Sequence, residues 1–221
     1  MAHRGASKAE SENTVAAFRR AGTMGAHAVE LDVRRTIDGA LVVVHDFRLP
    51  DGRVVRETPR AELPPTVPSL AAALDACASM WVNVEIKNDE SDPDFDATDS
   101  IADDTIAALV ARGEDDRWLV SSFRMETIDR CRAIAPSIAT AWLTVDVPAG
   151  ATDRLVRHGH AALHPWVGVV TADLVERCHG AGLRVNPWTC DDPARMAELV
   201  AYGVDGICTN VPDVALEVVA R

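Results

Sequence analysis

Glu30-Leu31-Asp32 sets two carboxylates two residues apart inside an apolar run, Ala28–Arg34. Side chains at i and i+2 of a strand share a face, so both acids point the same way. Glu85-Ile86-Lys87 repeats the spacing, with Asn83 two residues earlier on the same face. Buried together, such groups are costly unless something positive sits among them. Two answers are open at this point. Three carboxylates from adjacent strands make a hard-oxygen cage suited to Mg²⁺ or Ca²⁺, and poor for Zn²⁺, which prefers imidazole and thiolate. Alternatively, Lys87 bridges to one carboxylate and holds two strands in register. The chain uses twenty arginines but two lysines, so a lysine at this position points to a need for a compact point charge.

Imidazoles supply a second kind of chemistry. His3 precedes Arg4 at the end of one short apolar run, and His45 precedes Asp46 at the end of another. Two imidazoles near an anion can serve as acid and base at neutral pH. His164 closes a run before Pro165 and can reach the same end of the fold, whereas His27, His158, His160 and His179 fall on loops or helices and read as structural or solvated. Asp92, Asp94 and Asp96 imitate the start of a calcium loop, but Ala97 stands where glycine is needed and Asp103 where a bidentate Glu belongs, so that segment reads as a solvated loop.

These groups need a scaffold that gathers strand ends. Strand-like runs at Ala2–Arg4, Ala28–Arg34, Val82–Lys87, Trp118–Ser122, Ile138–Leu143, Ala161–His164, Leu183–Trp188 and Asp205–Cys208 alternate with helix-like segments. The helices are expected near Thr14–Met24, Leu70–Ala78, Ile101–Arg112, Met125–Ile134, Asp153–Arg157, Thr171–Ala181, Pro193–Tyr202 and Val214–Ala220. Eight such units predict a small (β/α)₈ barrel over residues 1–221 as one domain, with an extra hairpin strand, Leu41–His45, after the Asp38-Gly39 turn. A doubly wound sheet would want a glycine-rich phosphate turn after its first strand, where Gly5 stands alone. Barrels of this kind keep their active sites at the carboxyl ends of the strands, where His3, His45 and the acidic pairs fall.

Composition excludes several classes. At 221 residues, 48% apolar and 25% charged, the chain is neither disordered nor fibrous. A net charge of −12 argues against non-specific grip on nucleic acid or anionic lipid, and any anionic substrate needs a local positive centre. No apolar stretch is long enough for a spanning helix, so no stable membrane anchoring is expected. Five cysteines without a C-x-x-C pair, and an opening that leaves no room for a cleavable leader before His3, make the cytoplasm the expected compartment.

In order along the chain come His3-Arg4-Gly5, Glu12-Asn13-Thr14, Glu30-Leu31-Asp32-Val33, Asp38-Gly39 leading to His45-Asp46, and Val67-Pro68-Ser69-Leu70. Glu85-Ile86-Lys87, Ser122-Phe123, Trp188-Thr189 and Gly203-Val204-Asp205-Gly206 leading to Thr209 follow. In this order and spacing the set resembles the glycerophosphodiester phosphodiesterase family nearly end to end. The resemblance implies a (β/α)₈ barrel that hydrolyses glycerophosphodiesters to sn-glycerol 3-phosphate and an alcohol. It implies Glu30, Asp32 and Glu85 as ligands of a divalent metal (Mg²⁺ or Ca²⁺, with Mn²⁺ as a further option) and His3 and His45 as general acid and base. Arg4 and Lys87 would hold the phosphate, and Trp188 would pack near the glycerol or alcohol; His164 joins them as a substrate contact from its own position. Ser11 replaces the usual proline before Glu12, Asn210-Val211 replaces a charged pair, and the compressed segment between Asp46 and Val67 leads us to expect an open mouth. Two rivals are carried forward: a lysophospholipase D-type barrel, which would want an apolar rim from residues such as Phe47, Leu49 and Leu63, and a catalytically silent binding barrel.

Overall fold

The computed structural model describes residues 1–77 and 80–220. Strand β1 (Ala28–Arg35) alternates between two environments: Val29, Leu31 and Val33 enter the apolar layer under the helices, while Glu30 and Asp32 face the opposite side. It pairs antiparallel with β2 (Leu41–Val43), forming the expected hairpin, and parallel with β3 (Trp81–Ile86). Register sets Glu30 beside Asn83 and Asp32 beside Glu85. The four polar side chains therefore stack as two layers on the inner face. Strands β4 (Trp118–Ser122), β5 (Ala139–Thr144), β6 (Ala162–Pro165) and β7 (Arg184–Val185) continue the parallel sheet in chain order.

Closure is made by single residues rather than full strands. The expected first strand, Ala2–Arg4, contracts to Ala2, which bridges Val29 on one side and Thr209 on the other. Its amide donates to Ala28 O at 2.8 Å, Glu30 N–H donates to Ala2 O at 2.9 Å, and Thr209 N–H donates to Met1 O at 3.0 Å. The expected eighth strand forms no ladder; instead Asp205 N–H reaches Val185 O at 3.0 Å and Cys208 N–H reaches Pro187 O at 2.9 Å. These bonds close an eight-membered ring of strand positions, a (β/α)₈ barrel. The reason for the short strands is local: His3, Arg4 and Gly5 turn away at once, and Arg4 and Gly5 take the left-handed conformation, with φ of 55° and 82°.

Among the described residues, eight α-helices cover the outside: α1 (Val15–Thr23), α2 (Leu70–Ala76), α3 (Ser100–Val110), α4 (Met125–Ile134), α5 (Ala151–His158), α6 (Ala172–Gly180), α7 (Pro193–Tyr202) and α8 (Pro212–Val219). Ala78, expected to end α2, lies outside the described residues. Side chains cap α1, α2 and α6 at Thr14, Ser69 and Thr171, and Asp192 caps α7 ahead of Pro193, which explains why those helices begin where they do. The apolar layer splits in two. One part gathers Phe18, Leu31, Leu74, Ile106 and Trp118, the other Ile128, Leu155, Leu163, Leu174 and Leu199. The segment after β2 folds over a small cluster of its own, Val42, Leu49, Val55, Leu63 and Val67.

Candidate active site

Eight of the nine residues singled out from the sequence line one cavity of about 90 Å³ at the carboxyl end: His3, Arg4, Glu30, His45, Glu85, Lys87, His164 and Trp188. Asp32, the ninth, sits fully buried just behind its wall, and its carboxylate lies with those of Glu30 and Glu85 in a cluster whose oxygens are within 4.8 Å of one another. A wider vestibule of about 390 Å³, bordered by His45, Phe47, Lys87, Phe123 and Val145, opens above. A separate hollow beneath the acidic segment, between Arg35, Arg56 and Asp94, contains neither imidazole nor the carboxylate cluster.

Lys87 makes the expected bridge. Its Nζ lies 2.6 Å from Glu85 Oε1 and 3.3 Å from Asp32 Oδ1. Burial works against the charged lysine, yet Glu85 and Asp32 outweigh it and raise its pKa. Burial would likewise push the Asp32 carboxyl up, but Lys87 and Arg4 overcome that and hold it at about 2. Asn13 adds to this, its Nδ2–H donating to Asp32 Oδ2 at 2.7 Å. Glu30 goes the other way: burial, then the charges of Asp32 and Glu85, raise its pKa well above the usual carboxylate range, although Arg4 N–H donates to its Oε2 at 2.8 Å. Three carboxylates thus face two cations, Lys87 and Arg4, whose Nε lies 3.3 Å from Asp32. Fully ionised, the cluster would carry one negative charge more than the two cations balance, which the raised Glu30 pKa opposes. Glu30 Oε1 and Asn83 Oδ1 are buried on the cavity wall with no hydrogen-bond partner among the described residues. An all-oxygen set with unsatisfied buried acceptors, and one acid more than its cations balance, fits a hard divalent cation such as Mg²⁺ or Ca²⁺.

His3 is fixed by two residues to which no role was assigned from sequence, Asn210 and Asp191. Asp191 accepts from Asn210 Nδ2–H at 2.7 Å and from Asn210 N–H at 2.8 Å, which turns Asn210 Oδ1 toward His3. His3 Nδ1–H donates to that oxygen at 2.7 Å, leaving Nε2 as the acceptor facing Glu30 Oε2, 4.0 Å away. Burial first, and then Arg4, lower the His3 pKa, so the ring is neutral at neutral pH. His45 donates Nδ1–H to Asp46 Oδ1 at 2.7 Å, and Arg34 Nε–H donates to the His45 carbonyl at 2.8 Å. Arg34 is itself held by Asp92 at 2.9 Å and Asp94 at 2.7 Å. Of the acidic segment expected to be solvated, Asp92 and Asp94 are half-buried and clamp the buried Arg34, while Asp89 and Glu90 stay exposed. His164 forms the cavity floor. Burial lowers its pKa to about 3, and its Nε2 accepts from Asn186 Nδ2–H at 3.0 Å. Trp188 donates Nε1–H to His164 O at 2.8 Å and meets Phe123 edge-on at 5.4 Å, giving the cavity an apolar wall.

The fold and the placement of these groups put the chain among the (β/α)₈ barrels that work at the carboxyl ends of their strands. Comparison with known proteins sharpens this: residues 3–214 match the glycerophosphoryl diester phosphodiesterase family, and the chain belongs to that family of phosphoric diester hydrolases. It is 30% identical to a glycerophosphodiester phosphodiesterase of Caldanaerobacter subterraneus, over 100% of this chain and 97% of that protein. Among solved structures it is similar to an Oleispira antarctica phosphodiesterase in complex with sn-glycerol-3-phosphate, at 28% identity and a TM-score of 0.87 over 100% of this chain and 96% of that one. A glycerophosphodiester phosphodiesterase of Parabacteroides distasonis, 24% identical with a TM-score of 0.88 over 99% and 95% of the two chains, agrees in fold.

Proposed function

We propose that residues 1–221 form one catalytic domain that hydrolyses glycerophosphodiesters to sn-glycerol 3-phosphate and an alcohol, with a divalent metal and the His3–His45 pair. The observation that carries this is the convergence of His3, His45, the three-carboxylate cluster, Arg4 and Lys87 on one small cavity. Charge supports it as well. A phosphodiester monoanion added to the fully ionised cluster brings the surplus to two negative charges, which a divalent cation balances. Glu30, Asp32 and Glu85 would hold that cation, Mg²⁺ or Ca²⁺ with Mn²⁺ as a further option, and when bound it polarises the phosphoryl oxygen and stabilises the growing charge.

The chain's own residues perform the rest. Arg4 and Lys87 orient the phosphate. His3, neutral with Nε2 free, takes the proton from the attacking hydroxyl, and His45 gives one to the departing alcohol oxygen. If the substrate's neighbouring hydroxyl attacks first, water then opens the cyclic phosphate and the two imidazoles exchange roles. The inner cavity is well below the roughly 300–1,000 Å³ of a whole-ligand pocket. It therefore takes the phosphoryl group against Trp188 and the His164 floor, while the vestibule takes the alcohol. Five buried, unpaired cysteines fit a reducing compartment, and we assign the enzyme to the cytoplasm. No helix among the described residues is long and apolar enough to cross a membrane, and a charge of −12 argues against nucleic acid as a partner.

A second reading has one observation in its favour. Leu49 and Leu63, expected at the rim, are buried instead, but Val145 and Trp166, just past the ends of β5 and β6, are 52% and 44% exposed. An apolar pair at the carboxyl end would suit a lysophospholipid chain. The deciding experiment strips the metal, restores Mg²⁺, Mn²⁺ or Ca²⁺, and measures release of glycerol 3-phosphate from glycerophosphocholine, -ethanolamine, -glycerol and -inositol beside lysophosphatidate release from lysophosphatidylcholine. Metal-dependent glycerol 3-phosphate release, lowered about 10²-fold or more in His45→Ala, is expected. Turnover of the lysolipid alone would transfer the proposal to the second reading, and turnover of neither would leave a silent barrel.

A further inference from the structure

On the far side of the barrel from the active site, three side chains from three elements meet at one point. Asp129 lies in α4, His158 ends α5, and His160 stands two residues ahead of β6, so the cluster sits beside the entry of a strand whose other end reaches the carboxyl-end cavity. His158 Nδ1 lies 2.8 Å and His160 Nε2 3.0 Å from the same oxygen, Asp129 Oδ1. The rings are nearly parallel, 18° apart in plane with centroids at 6.0 Å. The three donor atoms fall within 4.8 Å of one another. We propose that Asp129, His158 and His160 form a second metal site, separate from the carboxylate cage and selective for a transition-metal dication such as Zn²⁺.

Donor chemistry points to this class of ion. Two imidazole nitrogens and one carboxylate oxygen are the ligands Zn²⁺ takes, whereas Mg²⁺ and Ca²⁺ want oxygen alone. Spacing agrees. With bonds of about 2.0–2.1 Å in tetrahedral geometry, donors lie roughly 3.3 Å apart, so the observed 2.8 and 3.0 Å need to open by only a few tenths of an ångström. Support behind the ligands is in place too. His160 is buried, and its Nδ1 is 2.8 Å from Thr140 Oγ1. That hydroxyl can donate to Nδ1 while Nε2–H bonds Asp129, or accept from Nδ1–H once Nε2 carries the metal, so binding needs a tautomer shift and no proton release. His158 is exposed, which leaves an approach from solvent and a fourth position for water.

Backbone geometry holds the ligands at this spacing. Gly159 ends α5 in the left-handed conformation with φ 75°, and His160 N–H donates to Leu155 O at 3.0 Å. The left-handed φ is what favours glycine there, since the Arg132 Nε that a Cβ would meet at 2.6 Å belongs to a flexible side chain. Arg132, whose guanidinium packs against Gly159 and donates to Pro136 O at 3.3 Å, is a cation close enough to act on His160, and it opposes a bound dication. Asp129 answers it with the opposite charge.

Equilibrium dialysis against Zn²⁺, with Mg²⁺ in large excess, tests the assignment by comparing the metal bound to the parent chain, His158→Ala and Glu85→Gln. The exposed His158 can be truncated without disturbing the core. The parent is expected to bind one equivalent of Zn²⁺ that His158→Ala binds at least tenfold more weakly, and Glu85→Gln is expected to retain that equivalent. Asp129→Asn, which keeps an oxygen in place but removes its charge, should weaken it in the same direction. Equal Zn²⁺ stoichiometry and affinity in the parent and His158→Ala would overturn the proposal, as would loss of the equivalent in Glu85→Gln alone.

Discussion

His164 offers a direct test of how the barrel interior is built. It is fully buried, its Nε2 is engaged as an acceptor by Asn186, and burial drops its pKa from 6.5 to about 3. A base whose folded pKa is depressed costs nothing above its unfolded value and progressively destabilises the fold as pH falls from 6.5 toward 3, because the unfolded chain binds the proton and the folded chain does not. Between pH 7 and pH 5 this one ring should remove about 2 kcal/mol of stability, and the full loss below pH 3 approaches about 5 kcal/mol. For a chain of this size about 2 kcal/mol is a fall of roughly 4–8 °C in Tm. His164→Gln keeps an acceptor for Asn186 but cannot titrate. Urea denaturation of parent and variant at both pH values isolates the ring, since every other titrating group is common to the two. The parent should lose about 2 kcal/mol more than the variant on acidification. Parallel losses would mean that His164 is charged in the fold or reached by water, and would refute a dry floor.

Two further substitutions probe the supports. Asn210→Ala removes the acceptor that orients His3 without touching the carboxylate cluster; we expect kcat to fall about 10²-fold with KM little changed, since misplacing a reacting group by about 1 Å has that cost. Parental kcat would show that His3 holds its orientation by packing alone. Gly5→Ala places a Cβ 2.7 Å from the backbone carbon and Cβ of Ala17 at a φ of 82°. Strain and overpacking together should cost about 2–5 kcal/mol, read from the urea midpoint; an unchanged midpoint would mean that the turn after Ala2 is free to relax.

The carboxylate pairs were legible from sequence because strand periodicity alone puts Glu30 with Asp32 and Asn83 with Glu85 on one face. That β1 and β3 are neighbours followed from barrel order, and their register set the two layers. His3 and His45 were legible through their position at run ends next to Arg4 and Asp46. The supports were not. Asn210 meets His3 across 207 residues, and Arg34 meets Asp94 across 60; no local pattern encodes pairings that arise only when the ring closes. The acidic segment misled for a related reason: a run of carboxylates looks solvated until the buried arginine that it clamps is in view. The terminal strands were overestimated because single bridging residues, Ala2 and Thr209, suffice where neighbouring chain on both sides completes the hydrogen bonding.

The supports also explain how so much charge can be kept at one place. Asp32 is nearly inaccessible, and such a group stays ionised only where cations and hydrogen-bond donors replace the water it has lost. Lys87 supplies charge from β3's own end, Arg4 from the turn after Ala2, and Asn13 a neutral donor from the turn before α1. Arg4 and Asn13 both adopt left-handed backbone, at φ of 55° each, a conformation that side-chain-bearing residues adopt at a cost. The cost is offset locally: Arg4 N–H reaches Glu30, and Asn13 N–H donates to Arg4 O at 2.9 Å. Strained residues, buried acids and cations are thus one structure. Removing any member leaves either an unpaired charge or an unrelieved turn.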